Sequence, residues 1–422
     1  MITKEHGAAA ASDVLDKYLQ QFLHDNPKSQ TQNERASTIM PAGITRAVHT
    51  NKPFPLYADA GHDCYLMSID GHTYVDFVSQ YFAAMFGHSH PDIKTAVAEV
   101  LDAGFTIGAP STRELELAEA LCARFPSMEM VQFTNSGTET NTVVIAMGLN
   151  YTNKKKVMVF QGGYHGGTLS FKTSNALILP HQFVMGVYND VESTQSVLNA
   201  DVGVILVEPM QGAGGLIPAT RDFLAFLRHE ATRIGAVLVF DEVITARTHY
   251  GGLQSYHGII PDMTSIGKFF GGAFAFGAFG GRADIMKTLD CRQPNALAHS
   301  GTNNNNPFTM AAGLAACRLL TPENIERTNA LGEKMRSELA RVLDMEGPDT
   351  AIVRGFGSTV GVYFNGPRSE VLGRAWYYFL LARRIHAGPR GFFALNIMHQ
   401  EQHVQQVLHA AADFKREVFG AL

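Results

Sequence analysis

In VLVFDEV, residues 237–243, four apolar residues end abruptly in the carboxylates Asp241 and Glu242. A short, continuous apolar run is typical of a strand buried on both faces of a parallel sheet. The carboxylates then fall at the carboxyl end of that strand, where open α/β sheets form their ligand-binding crevices. Residues 204–212, VILVEPMQG, repeat this design with Glu208. Both stretches indicate a parallel sheet with acidic groups along one edge.

A lysine lies between this strand and a glycine-rich apolar run. Lys268 follows TSIG, residues 264–267, and precedes FFGGAFAFGAFGG, residues 269–281. An ammonium group in apolar surroundings is costly, so such a lysine tends to lower its pKa or to take part in chemistry. A lysine near a strand-end carboxylate favours a Schiff-base enzyme in which Asp241 faces a pyridinium nitrogen. The local sequence leaves open the alternative of a lysine that snorkels from a strand edge.

The turn TNSGTE, residues 134–139, follows an apolar strand and opens a helix. The free N–H groups and the positive dipole of a helix N-terminus favour an anion there. Ser136 and Thr138 add hydroxyl donors. The alternative is an ordinary helix cap, in which the serine or threonine only satisfies the first backbone N–H groups.

Two further loops have both a structural and a functional interpretation. In QGGYHGG, residues 161–167, the glycines form a tight loop that allows Tyr164 to lie flat against a planar ligand. Alone, this is a loop with a buried tyrosine, and His165 is more often a hydrogen-bonded core histidine than a catalyst. HSGTNNNNP, residues 299–307, has two interpretations. In one, the asparagine side chains only form hydrogen bonds with the backbone of their own loop; in the other, Thr302 and its neighbours donate hydrogen bonds to a phosphate.

The bulk composition fits a compact globular enzyme. The 422 residues suffice for two or three domains, and 45% of them are hydrophobic against 17% charged. A net charge of -5 argues against nucleic-acid binding. Four widely spaced cysteines without a CxxC pair favour a reduced, cytoplasmic chain and no metal site. The N-terminus lacks the apolar core of a signal peptide, and the run after Lys268 is too short to span a bilayer, so we expect no membrane partner.

From about residue 91, helical and strand-like segments alternate, which favours a mainly parallel sheet covered by helices. The predicted strands are 130–134, 156–160, 202–207, 236–240 and 275–279. After about residue 330 the rhythm changes to that of a smaller α+β domain. We therefore predict an N-terminal segment, 1–75, that contributes to the small domain and the substrate site, a large cofactor-binding domain, 76–325, and a C-terminal small domain, 326–422.

The motifs SGTE, DEV, GK and HSGT occur in the order in which they stand in the class III aminotransferases, and the chain resembles that family from about residue 35 to its C-terminus. These are pyridoxal 5'-phosphate (PLP) enzymes of fold type I. The chain is similar to the branch of glutamate-1-semialdehyde aminomutases and β-phenylalanine aminotransferases, through GGYHGG, FGAFGGR and GPRGF, residues 162–167, 276–282 and 388–392. The resemblance implies an α/β large domain with a mainly parallel mixed sheet, and a smaller α+β domain built from both chain ends.

The resemblance also implies a role for each matched residue. Lys268 would form the internal aldimine with PLP and then carry the proton, and Asp241 would pair with the pyridine nitrogen. The remaining cofactor contacts would be Ser136, Gly137, Thr138 and Thr302 at the phosphate, Tyr164 and Val243 at the two faces of the ring, and Glu208 near the ring hydroxyl. Because Thr302 would come from the neighbouring subunit, the resemblance implies a homodimer with shared active sites.

On the substrate side, the resemblance places Arg46, Arg390 and Tyr81 around a carboxylate, which a guanidinium binds through two parallel hydrogen bonds. The chain departs from the family's pattern at four positions. Thr140 replaces an alanine, Asn303 a phenylalanine, Ala273 a glycine and Gly388 a serine. Three of these departures concern the expected substrate pocket, so they bear on the substrate more than on the cofactor.

The predicted function is transfer of an amino group between an amino acid, such as a β-amino acid, and a 2-oxo acid. The alternative is an isomerase on the same cofactor, either an aminomutase or a racemase. A third hypothesis, a non-catalytic relative that only binds ligands, is disfavoured because Lys268 and Asp241 are both present.

Overall fold

The computed structural model describes residues 2–172, 175–344 and 349–420. The helices are α1 (Ile2–Asp25), α2 (Pro27–Ser37), α3 (Ser79–Phe82), α4 (Pro91–Ala103), α5 (Thr112–Arg124), α6 (Gly137–Thr152), α7 (Val191–Val197), α8 (Arg221–Ile234), α9 (Gly252–His257), α10 (Ala283–Met286), α11 (Pro307–Leu319), α12 (Pro322–Val342), α13 (Ser369–Ala382) and α14 (Glu401–Phe419). The strands are β1 (Ala58–His62), β2 (Tyr65–Ser68), β3 (Thr73–Asp76), β4 (Met130–Thr134), β5 (Lys156–Phe160), β6 (Gln182–Gly186), β7 (Val202–Val207), β8 (Met210–Gln211), β9 (Ile217–Pro218), β10 (Val237–Asp241), β11 (Met263–Gly267), β12 (Gly277–Gly281), β13 (Thr350–Arg354), β14 (Thr359–Asn365), β15 (Ile385–His386) and β16 (Phe392–Ala394).

The chain divides into two compact units. The first comprises Met1–Tyr81, Gly87–His90 and Thr328–Leu422, and the second comprises Phe82–Phe86 and Pro91–Arg327. The first unit is thus built from both ends of the chain, and the second is the larger one.

The larger unit contains a seven-stranded sheet in the order β4-β12-β11-β10-β7-β5-β6. The neighbouring pairs run parallel except at β12, which is antiparallel to both β11 and β4. The predicted mainly parallel mixed sheet is therefore confirmed.

Alternate residues of the central strands face two separate apolar cores. Ile205 and Val207 of β7 pack in one core with residues of α8, whereas Val204 and Leu206 pack in the other with residues of α6. Because both faces are covered, every position of β7 and β10 is buried. This explains why these strands appear in the sequence as unbroken apolar runs.

Strand β11 was missing from the predicted elements, although it ends directly before Lys268. Its sequence, MTSIG, contains too few apolar residues to be recognised as a buried strand. These residues form a strand because they pair with β10 on one side and β12 on the other. Strand β12 begins at Gly277, two residues after the predicted start at residue 275. The sequence predicts an amphipathic helix over residues 12–25, whereas α1 begins at Ile2.

The first unit holds a four-stranded sheet, β1-β2-β3-β15, and a three-stranded sheet, β13-β14-β16. Tyr18 of α1 makes an edge contact with Phe379 of α13, with ring centroids 4.9 Å apart. The contact joins the two ends of the chain in one core, as the resemblance implied for the small domain. No helix of the described ranges is long and apolar enough to cross a membrane.

Candidate active site

Asp241 and Lys268 emerge from neighbouring strands at one edge of the large sheet. In the parallel pair β10 and β11, Asp241 lies opposite Ser265, and β11 ends at Gly267. Lys268 follows directly. The carboxylate and the amine that the sequence singled out are thus brought to the same carboxyl edge of the sheet.

The turn that opens α6 reaches the same edge through β12. Gly267 of β11 lies opposite Gly277 of β12, which in turn lies opposite Thr134, the last residue of β4. Ser136 follows Thr134 by two residues. The predicted anion site therefore lies two strands away from Lys268 in the sheet.

The side chain of Val243 fills the space between these two motifs. A Cβ atom added to Gly137 would lie 3.1 Å from Cγ2 of Val243, and one added to Gly267 would lie 3.4 Å from Cγ1 of Val243. The contact at Gly137 would be tighter than is usual for a Cβ atom, whereas the contact at Gly267 would be an ordinary van der Waals contact. The start of α6, the residue before Lys268 and the segment after Asp241 meet at this valine.

The Asp241 carboxylate is buried and fixed by three polar groups. Its Oδ2 atom accepts a hydrogen bond of 2.8 Å from Nδ2 of Asn141 and lies 2.9 Å from Nδ1 of His165. Its Oδ1 atom accepts from the backbone N–H of Val243. A buried charge needs such partners, so the carboxylate is oriented before any ligand binds.

Asn141 was not among the predicted site residues. It lies one helical turn into α6, so its sequence spacing gives no hint of its contact with Asp241. Its polarity gave no signal either, because residues 138–142 of α6, TETNT, are all polar. His165, by contrast, is the buried, hydrogen-bonded histidine that the sequence favoured.

Lys268 has a left-handed backbone conformation, with φ of 54°, and opens a short 3-10 turn that ends at Gly271. Residues other than glycine rarely adopt positive φ, and such strain concentrates at functional sites. The lysine is partly buried. Its geometry agrees with the predicted chemical role, which stays a prediction.

Ser136 is the N-cap of α6, because its Oγ accepts the backbone N–H of Glu139 at 3.2 Å. Glu139 in turn accepts the N–H of Asn135 at 2.8 Å. A hydroxyl that accepts one hydrogen bond still has its own O–H to donate. The helix cap is confirmed, and it is compatible with the predicted phosphate contact by Ser136, Gly137 and Thr138.

The loop of residues 161–167 lies against the start of α6. A side chain at Gly166, whose φ is 128°, would overlap the side chain of Thr138. Tyr164, in the middle of this loop, is 42% exposed, so its ring is not the buried tyrosine of the structural alternative. The ring is accessible to a ligand near the turn of residues 134–139, the predicted phosphate site.

Glu208 connects that loop to a second one. Its carboxylate accepts the N–H of Tyr164 and the N–H of Gly212, each at 2.9 Å. Burial raises the pKa of Glu208 to about 7; the nearby His165 opposes this shift and Asp241 adds to it. The carboxylate therefore anchors the backbone of the tyrosine loop, and its predicted position near the ring hydroxyl stays a prediction.

Thr302 lies on an exposed loop. Oδ1 of Asn304 accepts a 2.8 Å hydrogen bond from Nδ2 of Asn135, next to Ser136. This hydrogen bond connects the loop to the turn of residues 134–139 in the same chain. Asn306, at the end of the loop, is the N-cap of α11. The predicted contribution of Thr302 to a neighbouring subunit stays a prediction.

The three predicted substrate residues all belong to the first unit. The Arg46 guanidinium lies 4.8 Å from the ring centroid of Tyr81, whose O–H donates to the carbonyl of Val48 at 2.6 Å. Burial raises the pKa of Tyr81, while the positive charges of Arg46 and Arg390 oppose the shift. Arg46 thus contacts Tyr81 directly, and the charge of Arg390 acts on the same hydroxyl; the three side chains are called the cationic cluster below.

The donor set at the edge of the large sheet fits PLP. It comprises an amine, a buried carboxylate that can pair with a pyridinium, an exposed aromatic ring and a helix N-terminus suited to a phosphate. In addition, Oδ1 of Asn141 is buried without a hydrogen-bond partner among the described residues, beside Asp241. Fold and site together define a PLP-dependent enzyme of fold type I.

Comparison with known proteins identifies the family. Residues 47–383 match the family model for class-III aminotransferases. The chain is 39% identical over 421 residues to the beta-phenylalanine transaminase of Variovorax paradoxus, covering 96% of each chain. A solved structure of a beta-phenylalanine aminotransferase from Variovorax paradoxus superimposes with a TM-score of 0.91, covering 96% of this chain and 97% of that one.

Two further relatives are less similar in sequence, and one of them is an aminomutase. An omega-transaminase structure from Sphaerobacter thermophilus gives a TM-score of 0.86 at 32% identity, covering 94% of this chain and 100% of that one. The glutamate-1-semialdehyde 2,1-aminomutase of Methanothermobacter thermautotrophicus is 33% identical over 414 residues, covering 92% of this chain and 98% of that protein. The chain belongs to the class III aminotransferases. It is a PLP-dependent aminotransferase, and the aminomutase alternative has less support.

Proposed function

We propose that this aminotransferase takes the amino group from a β-amino acid, such as β-phenylalanine, and passes it to a 2-oxo acid. The 39% identity to the beta-phenylalanine transaminase, over 96% of both chains, carries this proposal. The contact of Arg46 with Tyr81 supports it, because it presents a guanidinium beside an aromatic surface. A carboxylate next to an aromatic group is the chemistry that this pair recognises.

PLP, when bound, supplies an electron sink for the carbon atom that carries the amino group. In this proposal, Lys268 Nζ holds the cofactor and then moves the proton at that carbon. Asp241, oriented by Asn141 and His165, keeps a proton on the ring nitrogen. Ser136 and the first amides of α6 bind the phosphate.

Arg46 and Arg390 bind the substrate carboxylates in this proposal. Because the donor and the acceptor react at one site in turn, each must place its own carboxylate on the same cationic cluster. Two arginines suit two such substrates, since each guanidinium binds a carboxylate through two parallel hydrogen bonds.

The proposed assembly is a homodimer with shared active sites. An exposed apolar patch in the larger unit supports it: Phe105 and Phe308 lie 5.1 Å apart between ring centroids, and Phe274 lies 6.3 Å from Phe308. Phe105, Phe274 and nearby Ile107 are 47%, 39% and 51% exposed. Contiguous apolar surface of this kind is typical of protein interfaces. The proposed cytoplasmic location rests on four cysteines that all carry free thiols.

One experiment tests the proposed reaction. The purified protein, loaded with PLP, is incubated with a panel of α- and β-amino acids against 2-oxoglutarate and against pyruvate, and both products are quantified. We expect turnover of 3-amino-3-phenylpropanoate that requires the 2-oxo acid. Turnover of a single amino substrate without any 2-oxo acid would instead identify an aminomutase or racemase. Turnover of α-amino acids alone would contradict the β-amino acid proposal.

A further inference from the structure

Arg390 stands on a tight turn at the start of β16. The N–H of Gly391 donates to the carbonyl of Gly388, and the N–H of Gly388 donates to the carbonyl of Phe392, each at 2.8 Å. Gly391 has a φ of 86°, which glycine adopts without strain. The turn therefore has a fixed shape, and it presents Arg390 on the surface.

Because Gly388 has no side chain, the ring of Phe392 can pack against the backbone of this turn. A Cβ atom at residue 388 would lie 2.6 Å from Cζ of Phe392 and nearer still to Cε1 and Cδ1. Phe392 is only 4% exposed, so its ring has no free path toward solvent. In a close-packed interior such a collision displaces the ring or the turn.

The same ring supports Tyr81. The centroids of Phe392 and Tyr81 lie 5.6 Å apart, and that of His49 lies 5.5 Å from Tyr81. The Arg46 guanidinium contacts the tyrosine ring as well. A continuous series of contacts thus runs from Gly388 through Phe392 and Tyr81 to Arg46.

Tyr81 depends on such support because its backbone conformation is unfavourable. Ser79, Gln80, Tyr81 and Phe82, which form α3, have φ of 44°, 51°, 55° and 74°. A run of left-handed residues without glycine is costly and persists only where its surroundings hold it. Ser79 is held by hydrogen bonds to the carbonyl of Ala394, at 2.7 Å, and from Asn396, at 3.2 Å.

We propose that Gly388 and Phe392 are positioning residues of the carboxylate subsite. Phe392, admitted by the absence of a side chain at Gly388, fixes the ring of Tyr81. Tyr81 in turn fixes the guanidinium of Arg46 relative to the turn that carries Arg390. The pair thereby sets which carboxylates the subsite accepts. This inference rests on the proposed role of Arg46 and Arg390 in substrate binding.

The test compares Gly388→Ala, Phe392→Leu and the double variant with the wild type. We measure kcat and KM for donor and acceptor, the dissociation constants of 3-phenylpropanoate and 2-oxoglutarate by calorimetry, the cofactor's visible absorbance and the melting temperature. The control is Gly373→Ala, since a Cβ atom there meets nothing within 4 Å. The control is expected to behave as the wild type.

We expect Gly388→Ala to raise KM and the dissociation constants about 10-fold, with kcat and the absorbance nearly unchanged, because a displaced guanidinium loses part of its charge-assisted hydrogen bonding to the carboxylate. Leucine lacks Cε1 and Cζ, two of the three ring atoms that a Cβ at residue 388 would meet. The double variant is therefore expected to bind as Phe392→Leu does, not to add the two losses.

Unchanged constants in Gly388→Ala, or losses that simply add in the double variant, would refute the inference. If Gly388→Ala also lowers the melting temperature, carboxylate binding in the double variant at the level of Phe392→Leu still supports the inference, and binding weaker than that of Phe392→Leu refutes it. Failure of the wild type to transfer an amino group from any β-amino acid refutes the proposed function alone, because binding of the two acids is measured separately. If the wild type binds neither acid, the subsite and this inference are both refuted.

Discussion

Nδ1 of His165 lies 2.9 Å from Oδ2 of Asp241, and both side chains are buried. The Asn141 amide donates to the same oxygen. In this arrangement the histidine and the amide hold one carboxylate oxygen, so the orientation of Asp241 is fixed by the protein before the cofactor enters. Preorganised polar groups of this kind act without a reorganisation cost during the reaction.

Asp241→Asn is expected to lower kcat by roughly 100-fold or more, because an amide lacks the negative charge that keeps a ring nitrogen protonated. Steady-state kinetics with saturating PLP measures the effect, and visible absorbance measures cofactor content. Asp222→Asn, at an exposed position of α8, is the matched control. A kcat within about threefold of the wild type, with full cofactor content, would show that Asp241 does not act on the ring.

Lys268→Ala is expected to abolish the visible absorbance of the covalently bound cofactor and to lower transamination on the order of 100-fold or more, because alanine has no amine to bond to the cofactor or to move the proton. Absorption spectra after removal of free PLP, together with single-turnover kinetics, provide the measurement. The exposed Lys287→Ala is the control. An unchanged spectrum in the Lys268 variant means that the cofactor lysine is misassigned.

Glu208→Gln is expected to cost about 1–3 kcal/mol of stability, since one backbone N–H, that of Tyr164 or Gly212, loses its acceptor. Burial raises the pKa of Glu208 to about 7 from 4.5, so its contribution to stability is fully present below pH 4.5 and is lost as the pH rises through 7. The free energy of unfolding of the wild type therefore approaches that of the variant as the pH rises from 4.5 to above 7. Melting curves at pH 5 and pH 8 measure it, and a difference independent of pH contradicts the assignment.

Hybrid dimers can show whether Thr302 contributes to the active site of its own subunit or to that of the partner subunit. Lys268→Ala and Thr302→Ala subunits are co-expressed with different tags, and the hybrid dimer is purified. If Thr302 serves the partner's site, the hybrid has one intact site, and it binds PLP there with wild-type affinity. If Thr302 serves its own site, the hybrid binds PLP as weakly as the Thr302→Ala homodimer. A monomer in sedimentation experiments contradicts the proposed assembly.

Asp76 joins three segments of the first unit. Oδ1 lies 3.0 Å from Nδ1 of His386 on β15, and Oδ2 lies 3.1 Å from Nε2 of His88. Burial would raise the pKa of Asp76, but hydrogen bonds from both histidines outweigh it and hold that pKa well below its usual value. Its stabilisation is therefore present at neutral pH and lost as the pH falls below about 4.

Asp76→Asn is expected to destabilise the protein by about 3 kcal/mol at pH 7, because it leaves a buried network without its charge. Denaturant unfolding at pH 7 and at the lowest pH that the fold tolerates measures the difference, which is expected to shrink in acid. Asp59→Asn, at an exposed position of β1, is the control. Equal effects of the two substitutions would contradict the role of Asp76.

Much of the fold and the cofactor site could be predicted because their signals are local. The buried strands were recognisable as apolar runs, and the carboxyl edge as the place where Asp241 and Glu208 follow them. The SGTE turn was recognisable as a helix N-terminus. Strand β11 escaped prediction because its polar residues become a strand only through pairing with β10 and β12.

The class of chemistry could be inferred from three motifs in a fixed order: an amine, a strand-end carboxylate and a helix N-terminus suited to an anion. How these groups are held depends on contacts between residues that are distant in the chain. Asn141 and Asp241 are 100 positions apart, yet one hydrogen bond joins them. Likewise, the ring of Phe392 reaches Tyr81 only because Gly388 leaves room for it. The physical reason is that strand pairing and apolar burial bring distant residues together, and a contact made in this way leaves no local pattern in the sequence.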